Sequence, residues 1–312
     1  MKRLIAAALL LLALPAQAQD RLTVLLDWFV NPDHGPLIVA EKRGDFARHG
    51  LQVRLVAPAD PNDPPKLVAA GQGDVAVYYQ KTLHLAVDQG LPLVRIGTLV
   101  ATPLSTVTVL ANGPIRTLAD FKGKRIGYSV AGFEQIVMGA MLQGTGVQVS
   151  ELRFVAVNFG LSTALMGGQV DAIIGGFRNF ELNQLDIENR PGRAFFPEEH
   201  GVPVYDELIY VARRDRVADA RLRRFIDATE AATVFILNNP EAARKLFIEG
   251  RPELDDELNR RAWRDTWPRF SASPAALDRN RYDRFARWLH ERNMIRSVPA
   301  VETYAVELPA AR

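Results

Sequence analysis

Short apolar runs alternate with helical stretches from Leu22 to Glu188, and that alternation limits the fold more than any other feature of the chain. The first unit sets the pattern. Leu22 to Leu26 is a Leu/Val-rich run expected to be a strand covered on both faces of a sheet. Asn31, Pro32, Asp33 and Gly35 are turn formers that stop it, and Pro36 then opens a helix that ends at Gly44. In an open α/β sheet, the loop leaving a strand's carboxyl end faces the ligand crevice. Asp27, Trp28, Asn31 and His34 are therefore placed beside a small molecule.

The same reading predicts strands at Leu51–Val56, Asp74–Tyr78, Leu93–Val100 and Thr106–Leu110. After Leu118 the pattern restarts, with strands at Arg125–Ser129, Phe154–Val157 and Ala172–Ile174 and helices between them. A sequence echo supports two comparable lobes: Gly71-Gln-Gly-Asp-Val-Ala-Val77 recurs as Gly168-Gln-Val-Asp-Ala-Ile-Ile174. Leu208–Ala212 then returns the chain to the first lobe. A helical block follows to Arg292, expected to pack on that lobe, with Leu222, Phe225, Ile226, Thr229, Thr233 and Ile236 marking one buried helix face. The expected fold class is α/β, with lobe one at 19–108 plus 208–312 and lobe two at 109–207. Two crossing segments, near Leu104–Asn112 and Val202–Glu207, make the pair a hinged clamp.

Residues 1–18 read as an address. Lys2 and Arg3 precede the apolar run Leu4–Leu14, too short to span a bilayer, and Ala16-Gln17-Ala18 has the small-any-small pattern of a signal-peptidase site. Cleavage is predicted before Gln19, giving an exported, periplasmic chain that is not membrane-embedded. The formal charge of +2 falls to balance when Lys2 and Arg3 leave, and no basic tract is interleaved with aromatics, so nucleic acid is not an expected partner. The absence of cysteine excludes disulfides, thiol nucleophiles and thiolate metal sites. No histidine pair has zinc-site spacing, no GxSxG elbow occurs, and no Gly-rich run has the order that cradles phosphate. Neither a catalytic residue, a metal nor a cofactor is expected.

Binding has positive signals. Four loops leave strand ends, two in each lobe. Besides the first loop they hold Tyr78 and Tyr79; Phe133 and Glu134; and Phe177, Asn179 and Glu181. Only one of the adjacent Tyr78 and Tyr79 can face the cleft, because strand neighbours alternate. The aromatics offer stacking and Asp27, Asn179 and Glu181 offer acceptors, which suits a flat heterocycle with a polar edge. Glu181 in a helix's first turn also reads simply as a favourable helix-end charge.

These loops carry a resemblance. LDWFVNPDHGPLIVAEKRGDFARHGLQV, AAGQGDVAVYYQ, GGFRNFELNQL and RAFFPEEHGVPVYDELIYVA resemble the NMT1/THI5-like group, the thiamine pyrimidine-precursor binding proteins of ABC importers. The resemblance covers essentially the whole mature chain. It implies a type II periplasmic binding protein fold and a monomer that hands an aminopyrimidine, hydroxymethylpyrimidine or its formylaminomethyl relative, to an ABC permease with its ATPase. It makes Trp28 and Tyr78 stacking partners and Glu181 the acceptor for the amidine edge. The sequence departs from the group's WxPNxxH pattern by Val30 in place of Pro. Pyrimidine synthases of the same group carry a Cys-rich run, absent here, and a Lys and His at the positions aligned with Tyr78 and Thr82. The alternatives are a same-fold binding protein for riboflavin or an alkanesulfonate, and an exported synthase-like enzyme.

Overall fold

The computed structural model describes residues 19–309, so the predicted leader lies outside the described residues. The strands are β1 (Asp20–Leu25), β2 (Leu51–Val56), β3 (Val75–Tyr78), β4 (Leu93–Val100), β5 (Ser105–Leu110), β6 (Arg125–Tyr128), β7 (Arg153–Ala156), β8 (Ala172–Phe177), β9 (Gly192–Phe195) and β10 (Leu208–Arg213). They form two five-stranded sheets, ordered β2-β1-β3-β10-β4 and β7-β6-β8-β5-β9. In each sheet the first three strands are parallel, and the fourth runs antiparallel to both neighbours. The two sheets thus have the same layout, with β3 matching β8 and β10 matching β5.

The sequence echo has a physical cause in this layout. Asp74 accepts the Thr23 N–H at 2.8 Å and donates its own N–H to the Thr23 carbonyl. Asp171 does the same with Arg125, its side chain accepting at 2.8 Å. Each aspartate therefore fixes the register at which β3 or β8 enters beside its central neighbour, and the glycine ahead of it, Gly71 or Gly168, is left-handed with φ of 77° or 70°.

The crossings lie where β4 gives way to β5, at residues 101–104, and where β9 gives way to β10, at residues 196–207. The first is shorter and earlier than the Leu104–Asn112 expected, because Ser105–Leu110 is already a strand of the second sheet. The edge strand β9 was not anticipated; its four residues are only half-buried and are held by pairing with β5.

The helix Ala220–Asn238 buries Leu222, Phe225, Ile226, Thr229, Thr233 and Ile236, the face anticipated from spacing, and packs on the helix Gly35–Arg43. The last long helix, Arg279–His290, departs from the expectation that the block rests on the first lobe. Its Phe285, Ala286, Trp288 and Leu289 lie in one apolar cluster with Phe133, Val137 and Met138 of the second lobe. Trp288 Nε1 donates to the Gly201 carbonyl at 2.8 Å. Among the described residues no helix is long and apolar enough to cross a membrane.

Candidate functional site

A cavity of about 870 Å³, mouth included, opens between the carboxyl ends of the two sheets. All four loops after β1, β3, β6 and β8 reach it. Asp27, Trp28, Asn31, Tyr79, Phe133, Glu134, Phe177 and Glu181 line its wall, so the structure brings eight of the eleven expected site residues together.

The other three stand behind that wall. Tyr78 belongs to β3 and points into the first lobe's core, leaving Tyr79 as the ring on the cavity. His34 is fully buried beneath Asp27, and Asn179 is 1 % exposed. The expectation that Tyr78 stacks in the cleft is corrected: Tyr78, the last residue of β3, is buried in the first lobe's core and does not line the cavity, whereas Tyr79 does.

The first loop is built by its own hydrogen bonds. Asn31 caps the turn Pro32–His34, its Oδ1 accepting the Asp33 N–H at 2.8 Å and its Nδ2 donating to the Phe29 carbonyl. The Asn31 N–H donates to His34 Nδ1 at 3.3 Å, which assigns the ring proton to Nε2; Nε2 donates to Asp27 Oδ1 at 3.0 Å. The other Asp27 oxygen accepts the Tyr79 hydroxyl at 2.8 Å. His34 and Tyr79 thus hold one carboxylate from both sides. Burial, with Asp27 beside it, keeps the Tyr79 hydroxyl well above its ordinary range.

Glu181 opens the helix Glu181–Ile187 of the second lobe and is 8 % exposed, its Oε2 accepting the Phe177 N–H at 2.6 Å. A Cβ on Gly176 would lie 3.3 Å from Glu181 Cγ, so glycine there makes room for the carboxylate to fold back. Desolvation, opposed by that backbone bond, pushes the Glu181 carboxyl up to about 7. Glu134 is half-buried and accepts the Gly132 N–H at 2.7 Å, which closes the turn into its helix. Phe133 serves both wall and core: it stacks on Phe285 at 5.9 Å and 24°.

Several wall residues were not anticipated, among them Asp33, Lys81, Ser105, Tyr128 and Tyr205. Asp33 sits inside the first motif, where the sequence marked it only as a turn former. Burial pushes its carboxyl up to about 7, although the bond from Asn179 pulls the other way. Lys81, two residues beyond Tyr79, bonds Glu207 at 2.6 Å and the Ser105 hydroxyl. Glu207 also accepts the N–H groups of Leu104 and Ser105, at 2.6 and 2.8 Å. Desolvation works against the Glu207 charge, but Lys81 and these donors outweigh it and hold the carboxyl below its ordinary value. The signal available in sequence for Ser105 and Tyr205 was their place on the crossing segments, which return to the cavity floor.

The lobes touch around the rim. Trp28 meets Phe159 of the second lobe edge-on at 4.6 Å, and Phe29 meets Phe180 at 5.9 Å. Asn179 Nδ2 donates to Asp33 at 2.7 Å, and Asn183 Nδ2 to Asp265 at 2.8 Å. On another side Asn62 donates to the Ser129 carbonyl at 3.2 Å and accepts the Ala131 N–H at 2.9 Å. The clamp is closed. Among the described residues no group of three His, Asp or Glu side chains is arranged to hold a metal ion.

Comparison with known proteins follows this geometry. The family model described as "NMT1/THI5 like" matches residues 31–243. A Haemophilus influenzae protein named for thiamine biosynthesis is 46 % identical over 96 % of both chains. The formylaminopyrimidine-binding protein of Halalkalibacterium halodurans is 30 % identical over 78 % of this chain and 74 % of its own. At lower identity the chain is also similar to 4-amino-5-hydroxymethyl-2-methylpyrimidine phosphate synthases. Among solved structures, a Candida albicans protein described as having the generic periplasmic binding protein fold superposes with a TM-score of 0.72 at 16 % identity, over 94 % of this chain and 98 % of its own. The fold is therefore the two-lobed periplasmic binding protein fold.

Proposed function

Because the chain belongs to the NMT1/THI5-like family, we propose that it is a periplasmic solute-binding protein that delivers a thiamine pyrimidine precursor, hydroxymethylpyrimidine or its formylaminomethyl relative, to an ABC importer. The observation that carries the reading is that Trp28 of one lobe and Glu181 of the other line one cavity. An aminopyrimidine offers Trp28 a flat face and offers a carboxylate the N–H donors of its amidine edge. Asp27, clasped by His34 and Tyr79, and Glu134 add acceptors from either lobe.

The ligand stacks on one open lobe, and the second lobe then closes over it with the remaining hydrogen bonds. Turning a mostly open clamp into a mostly closed one takes about 5.5 kcal/mol of preference for the closed state. The rim contacts set the ligand-free balance, and the ligand's contacts to both lobes must supply that preference. A membrane permease with its ATPase reads the closed form of a monomer. The apolar run Leu4–Leu14 with Ala16-Gln17-Ala18 supports export to the periplasm.

The protein binds without turnover in this reading. The resemblance implies a Lys, a His and a Cys-rich run in the synthases, whereas this chain has Tyr78 and Thr82 at the positions aligned with the first two and carries no cysteine. Heat on titration with each pyrimidine, followed by mass analysis of the recovered ligand, tests both halves. Saturable heat with unaltered ligand supports the reading; silence with both pyrimidines defeats the ligand assignment, and an altered ligand defeats the claim of no turnover.

A further inference from the structure

Asp33 accepts a bond across the lobes with one oxygen only, yet it stands on the cavity wall, 2 % exposed, opposite the lobe that carries Glu181. Both hydrogen bonds it receives end on Oδ1, from Asn179 Nδ2 at 2.7 Å and from Thr266 Oγ1 at 3.4 Å. Among the described residues this leaves Oδ2 as the oxygen free to meet a ligand. The charged wall is otherwise acidic. Lys81, the cationic residue on it, is held by Glu207, so the cavity offers no unpaired cation for an oxyanion.

We propose that Asp33 is a specificity-determining residue: with Glu181 it forms a carboxyl pair, one from each lobe, that selects a ring presenting N–H donors and rejects its counterpart in which the amine is a carbonyl oxygen. This rests on the pyrimidine reading above. Two buried carboxyls facing one space cannot both be charged cheaply, so one proton or one cationic ligand must stand between them. The neighbouring carboxyls, Asp27 and Glu207, add negative charge around Asp33, while the basic groups His34 and Lys81 are each held by one of them. An amidine edge that takes the proton onto its ring nitrogen presents N–H groups to both carboxylates at once. A 4-oxo ring is too weakly basic to carry that charge, so the pair keeps its own proton and the charge-assisted hydrogen bonds, the stronger kind, are lost.

The competing role for Asp33 is a purely structural clasp to Asn179. Asp33→Asn separates the two, because an amide oxygen still accepts from Asn179 while the charge and the second acceptor are lost. The experiment titrates wild type and D33N with 4-amino-5-hydroxymethyl-2-methylpyrimidine and with its 4-oxo counterpart, in buffers of differing ionisation enthalpy between pH 6 and 8. Wild type is expected to prefer the amine by about a hundredfold and to take up a proton on binding. D33N is expected to bind the amine about tenfold more weakly, to narrow the preference, and to take up fewer protons. A D33N protein with wild-type affinity, preference and proton count overturns the proposal. If D33N does not fold, Asn179→Ala gives the converse: affinity falls with the preference kept, and loss of the preference there counts against Asp33. Failure of wild type to bind either pyrimidine defeats the ligand reading itself, and this inference with it.

Discussion

Glu207 receives the Lys81 ammonium at 2.6 Å while also accepting the N–H groups of Leu104 and Ser105. One fully buried carboxylate therefore ties the second crossing to the first and to a residue of the cavity wall. Glu207→Ala leaves Lys81 and two amides without their partner. Removing one member of a buried pair costs about 3 to 5 kcal/mol, so the melting temperature is expected to fall by several degrees, read by calorimetry. A variant that melts with wild type shows that the crossings are held by something else.

Trp28→Ala removes the large flat face that the first lobe brings to the cavity. Losing a stacked pair beyond its area is worth about 0.5 to 1.5 kcal/mol, and the buried ring area adds to it. Affinity for hydroxymethylpyrimidine should fall at least tenfold, measured by equilibrium titration. An unchanged affinity places the ring elsewhere.

The pH dependence of stability follows from the two raised carboxyls. Asp33 and Glu181 both titrate near 7 in the folded chain, above the ordinary 3.8 and 4.5, through burial. The folded state therefore holds protons that the unfolded chain has released, and the stability this gives is full below about pH 4 and lost as the pH rises through 7. Glu207 works in the opposite sense, its contribution being lost as the pH falls below its ordinary value. Between pH 5 and 8 the ligand-free melting temperature should decline, and Glu181→Gln should flatten the decline. A variant with the wild-type slope contradicts the assignment.

Much of this site was legible because the first loop carries its own instructions. Turn formers, Trp28 and Asp27 follow one strand within a few residues, and the placement of a loop after a strand's carboxyl end is a rule of the sheet. Glu181 was legible for the same reason. What sequence could not give was phase and distance. Whether Tyr78 or Tyr79 faces the cavity depends on the residue at which β3 stops pairing, and β10 sets that by pairing Ile209 with Tyr78. His34 looked like a ligand contact, but it stands behind the wall with both ring nitrogens taken by the Asn31 N–H and by Asp27. Lys81 with Glu207, Asp33 with Asn179 and Trp28 with Phe159 are partnerships between residues far apart in the chain, and neither β9 nor the helix Arg279–His290 has a local pattern that names the surface it meets.

Asn62 gives a test of closure that touches no ligand. Its side chain spans the lobes through Ser129 and Ala131, whose loop also supplies Ser129 and Val130 to the cavity wall. The two hydrogen bonds, one exposed and one partly buried, contribute about 0.5 to 1.5 kcal/mol each. Asn62→Ala should therefore speed ligand release by about fivefold or more in stopped-flow fluorescence, with the melting temperature of the free protein little changed. Release at the wild-type rate would remove Asn62 from the closed clamp's support.

A crystal structure of the protein with hydroxymethylpyrimidine addresses the account at its centre. The ring is expected between the lobes, its face on Trp28 and its amidine N–H groups within hydrogen-bond distance of Glu181. A ring bound outside the cavity, or bound in it with Glu181 turned away, would contradict the account.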